Sequence, residues 1–71
     1  MSAPKIVFER KAGPFLTFAV RETILSDGSA VHDVLAINAT AGTSMELAHP
    51  AGVNEALNIA RDLAAVVGRY E

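Results

Sequence analysis

A chain of 71 residues without a cysteine forms one domain, 1–71, whose single core is marginal; disulfides and thiolate zinc sites are excluded, and self-association is left as the source of extra stability. Apolar residues make up 51%, thirteen of the 71 residues are alanine and the mean hydropathy is +0.30, so disorder is excluded and some apolar surface is left to be covered. The net charge is −2 and the six Lys and Arg residues are dispersed, so no basic block tracks phosphates.

The first predicted strand is 5–10, KIVFER, rich in β-formers and closed by the turn signal Lys11-Ala12-Gly13-Pro14. Residues 15–25, FLTFAVRETIL, alternate: Leu16, Phe18, Val20 and Ile24 share one face of a second strand, Phe15, Thr17, Ala19 and Arg21 the other. Asp27-Gly28 signals a hairpin, a third strand follows over about 30–40, and Ser44–Ala48 forms a short fourth after the turn at 40–43. From Pro50 the period changes to three and four, with Val53, Leu57, Ala60, Leu63 or Ala64, Val67 and Tyr70 on one stripe. This is one amphipathic helix with Pro50 at its first position. The fold class is α+β, β-β-β-β-α, a four-stranded antiparallel sheet with one C-terminal helix packed on one face.

The hairpin admits two registers. A two-residue loop at Asp27-Gly28 pairs Phe18 with Ile37, Val20 with Leu35 and Glu22 with Asp33. A three-residue loop, 26–28, with Gly28 as a bulge pairs Glu22 with His32 and Arg21 with Asp33, but turns Leu35 and Ile37 away from the Phe18/Val20 face and demands a second buried face. Buried apolar side chains at roughly 1.5–3 kcal/mol each outweigh exposed ion pairs at roughly 0–1, which favours the first register unless an oligomer buries both faces. In that register Glu22 and Asp33 are a like-charged pair that raises one pKa or calls in an arginine, and is the candidate charge site.

Other chemistry is sparse. His32 and Asp33 are strand neighbours on opposite faces, and His32 is expected at the solvent-facing side. His49 is expected to end the fourth strand and help cap the helix; ligation with Glu46 or His32 is the less favoured reading, and no metal or cofactor is expected. No serine lies in a G-x-S-x-G context, and neither a phosphate loop nor an H-E-x-x-H pattern occurs, so no catalytic residue is assigned and an enzyme is not expected.

The leading expectation is a non-catalytic interaction module, a homodimer or larger, binding itself and a protein partner. Its surfaces are the sheet face away from the helix, with Phe15, Arg21, His32 and Val34, and the hairpin tip, with Ile24, Leu25 and Val31. The order of four strands and a helix, with SMELAHP as last strand and proline-started helix, is similar in outline to the single-stranded-DNA-binding positive-cofactor and whirly-type folds. That resemblance is one of layout, and it implies a dimeric single-stranded nucleic-acid binder as the alternative, using Lys5, Arg10, Lys11, Arg21 and Phe15. A third reading is a small enzyme using Glu22 and Asp33 with His32. The N-terminal MSAPKIVFERK has no apolar leader and no segment reaches a membrane span of about 20 apolar residues, so no membrane contact and a cytoplasmic location are expected.

Overall fold

The computed structural model describes residues 4–69. Strands β1 (Lys5–Lys11), β2 (Leu16–Ile24), β3 (Ala30–Asn38) and β4 (Thr43–Ala48) form one antiparallel sheet in chain order, and α1 (Val53–Gly68) packs across one face, chiefly on β1, β2 and β3. The α+β layout is the one expected. The helix starts later than Pro50: Gly52 is its N-cap, with no side-chain cap, and Tyr70 lies outside the described residues.

The β2–β3 register is the bulged one, and the expected pairing of Glu22 with Asp33 does not form. Arg21 faces Asp33, Glu22 faces His32 and Ile24 faces Ala30. The turn explains why. A two-residue type I′ loop would hold Asp27 as well as Gly28 at positive φ, strain that an L-residue avoids when it can. Instead Leu25 N–H donates to the Ser29 carbonyl at 2.8 Å, enclosing Ser26–Gly28, and Gly28 alone in the loop takes positive φ, at +89°. The Asp27 carboxylate locks this loop by accepting from the Ser29 N–H at 2.9 Å and the Ser29 hydroxyl at 2.6 Å.

A one-residue shift exchanges the faces of β3. Val34 and Ala36 join Phe18 and Val20 under the helix, while Leu35 and Ile37 lie with Ala19 and Thr17 on the uncovered face. Val34 and His32 therefore leave the open face on which the sequence placed them. Strand β1 is shifted too: a bulge at Val7 keeps Phe8 opposite Val20 on the helix side but sends Ile6 to the open side opposite Arg21. A second irregularity at Leu47 offsets β4 between Ala48, opposite Val34, and Glu46, opposite Leu35.

The core seam of α1 keeps Leu57, Ala60, Leu63, Ala64 and Val67 of the expected stripe, leaves Val53 exposed and adds Ala56 and Ile59. Ala56, Ala60 and Ala64, four residues apart, are its buried positions, flanked by Leu57, Ile59, Leu63 and Val67. Alanine brings the helix backbone close to Phe18, Val20 and Val34, and larger side chains close the sides of the seam. At its C-terminal end, Gly68 lies close to the Ala12 carbonyl, which puts that end of α1 beside the β1–β2 turn. At the β2–β3 tip Leu25 and Val31 are exposed and Ile24 is half-buried.

Gly28→Ala is expected to cost about 1 kcal/mol and Gly28→Asn less, because space around the site is open and only the backbone conformation is at stake. Ala60→Leu is expected to cost about 1–3 kcal/mol by overpacking the seam. Urea unfolding followed by circular dichroism measures both.

Candidate functional site

The shifted register assembles a polar network on the uncovered face. Asp33 on β3 stands opposite Arg21 on β2, and Glu46 on β4 lies one pair along on the other flank. The chain leaves β4 at Ala48, and His49 folds back over the same face. Arg21 Nη2 donates to Asp33 Oδ2 at 2.7 Å, Arg21 Nε reaches the same oxygen at 3.3 Å, and Nη2 also donates to Glu46 Oε1. His49 takes the remaining oxygens: its Nδ1 lies 2.6 Å from Asp33 Oδ1 and its Nε2 3.3 Å from Glu46 Oε2. The Asp33 side chain is 10% exposed and His49 67%, so a fixed base carries an accessible rim.

The electrostatics follow from that geometry. The Arg21 hydrogen bond, helped by His49, holds the Asp33 carboxyl below its ordinary value against the opposing effect of burial. The Arg21 guanidinium is held still more firmly protonated, first by Asp33 and then by Glu46. A buried carboxylate is tolerated here because both its oxygens are matched by donors.

Glu22 and Asp33 lie on opposite faces, so the expected carboxylate pair is not assembled. Glu22 Oε2 lies 3.1 Å from His32 Nε2 and Glu22 Oε1 3.8 Å from Lys5 Nζ, on the helix side. His32, expected at the solvent, has a side chain only 10% exposed. Phe15 is exposed just before β2, and Val34 is wholly buried under α1. On the β1 flank, Arg10 and Arg61 sit 6.0 and 5.6 Å from the centre of the Phe8 ring. A shallow groove of about 290 Å³ follows the bulged β1 edge, lined by Ile6, Val7, Phe8 and Glu9. His49 does not cap the helix. Its link to Asp33 was out of reach of sequence reasoning because the favoured register put Asp33 on the helix face; the Arg21–Asp33 pairing of the alternative register was the available signal.

Comparisons with known protein families, curated proteins and solved structures return no match to this chain. Among the described residues no helix is long and apolar enough to cross a membrane.

Because Asp33 is depressed in the folded state, its contribution to stability is complete above the ordinary carboxyl value of about 3.9 and is lost as pH falls through its lower folded value. Asp33→Asn is expected to cost about 2 kcal/mol at neutral pH, as loss of a hydrogen bond between charged groups does. The gap between wild type and variant should narrow below the ordinary value; urea unfolding as a function of pH reads it.

Proposed function

We propose that the chain is a non-catalytic interaction module that self-associates by packing its uncovered sheet face on a second copy, with the hairpin tip left for another protein. The observation that carries this reading is the register. It commits Leu35 and Ile37 to the face that α1 does not cover, so apolar side chains line both faces of the sheet. Ala19 and Leu35 are already buried there, Leu35 at 4% exposure, yet neither belongs to the helix-side core. Ile6 at 44% and Val31 at 40% extend the apolar surface outward.

Face packing is favoured over edge pairing. Both edge strands carry a bulge, at Val7 and Leu47, which interrupts the ladder a partner strand would extend. A standard interface takes about 800 Å² from each partner. Against a total accessible surface of 4658 Å², that is about a sixth, within the reach of one side of a two-layer domain. The single-stranded nucleic-acid alternative loses support, since Arg21, central among its basic residues, is engaged by two carboxylates.

Sedimentation equilibrium tests the proposal. Wild type is expected at a multiple of the 7.5 kDa chain mass, and Ile37→Lys or Ile6→Lys is expected to shift it to one chain mass with unchanged circular dichroism. A wild type that stays at one chain mass up to its solubility limit, or lysine variants that associate as well as wild type, would overturn it.

A further inference from the structure

The geometry points to Asp33, Glu46 and His49 as a binding site for a divalent transition cation of the zinc class. Each residue offers one ligand atom, and the three atoms lie within 4.8 Å of one another. They come from β3, from β4 and from the loop that leaves it, so one chain supplies the set.

The division of labour among the oxygens supports a cation. Arg21 engages Asp33 Oδ2 and Glu46 Oε1, the far oxygen of each carboxylate. The near oxygens, Asp33 Oδ1 and Glu46 Oε2, both face the imidazole of His49. Ligating carboxylates are commonly held in this way by a hydrogen bond to the second oxygen, and Arg21 is accordingly a positioning residue. Burial fixes Asp33, while exposure lets Glu46 and His49 close on an ion and leaves a coordination position to water. With His49 neutral, Arg21, Asp33 and Glu46 sum to one negative charge, which a dication overcompensates only by one.

The donor set selects the metal class. One imidazole nitrogen with two carboxylate oxygens suits zinc, nickel or copper, whereas calcium takes six to eight oxygens and magnesium retains most of its waters.

Calorimetric titration of zinc chloride into the full chain at neutral pH tests the site. One ion per chain is expected, with affinity falling by about tenfold or more in His49→Ala and in Glu46→Gln, a loss of the size that removal of even outer-shell partners produces. His32→Ala, on the helix side, should bind as wild type does, and excess magnesium should not displace the zinc. Absence of binding in wild type, or binding that His49→Ala retains or His32→Ala loses, would overturn the inference. The site does not require self-association: Ile37→Lys should take up zinc equally well, so failure of the dimer proposal and failure of this one give different results.

Discussion

The pairing of β2 with β3 is the constraint on which the other features depend. Its phase is set at the turn, where Asp27 spends its carboxylate on Ser29 and Gly28 alone in the loop accepts positive φ. From that local choice follow the burial of Val34, the placing of Leu35 and Ile37 on the uncovered side, and the meeting of Arg21 with Asp33. Backbone strain of about a kilocalorie per residue in the left-handed region is small beside the apolar burial at stake along nine paired residues. It decides the register only because both registers give β3 an apolar face. Val34 and Ala36 serve under the helix as well as Leu35 and Ile37 would.

That redundancy explains what could be read from the sequence and what could not. Strand order, the hairpin, the change of period near residue 50 and the α+β layout follow from local pattern, because each rests on turn chemistry or on a run of alternating residues. The register does not, since 31–37, VHDVLAI, is apolar on both phases apart from His32 and Asp33. Charge carried the better signal: the bulged register replaces the Glu22–Asp33 clash with Arg21–Asp33 and Glu22–His32. Weighting single ion pairs as exposed surface contacts undervalued them, because Asp33 and His32 are both largely buried. The bulge at Val7 was equally invisible. KIVFER alternates without a break, and only pairing against β2 separates Ile6 from Phe8.

The helix seam shows a related limit. The expected stripe held Ala60 and Ala64 but opened on Val53, which is exposed, and passed over Ala56, which completes the buried line. Close approach of a helix to a flat sheet is governed by the smallest residues on its surface, with Leu57, Ile59, Leu63 and Val67 straddling the contact. Hydropathy ranks such alanines low, whereas geometry puts them at the centre.

On the uncovered face, apolar and ionic features are compatible because the charges are already matched within the chain. An unpaired carboxylate at Asp33 would make covering this face costly, since desolvation without a partner outweighs what apolar contact returns. Arg21 and His49 supply donors to both its oxygens, and Arg21 extends the same service to Glu46. The face therefore divides by strand. The side toward β1 presents Ile6 beside Glu9 and Lys11, while the side toward β4 holds the network with His49 as its accessible rim. A second copy needs the apolar part and leaves the ionic part satisfied; a cation needs only Asp33, Glu46 and His49. Both follow from one displacement of β3 by one residue, which moved a buried acid from the helix side to a place where arginine and histidine meet it.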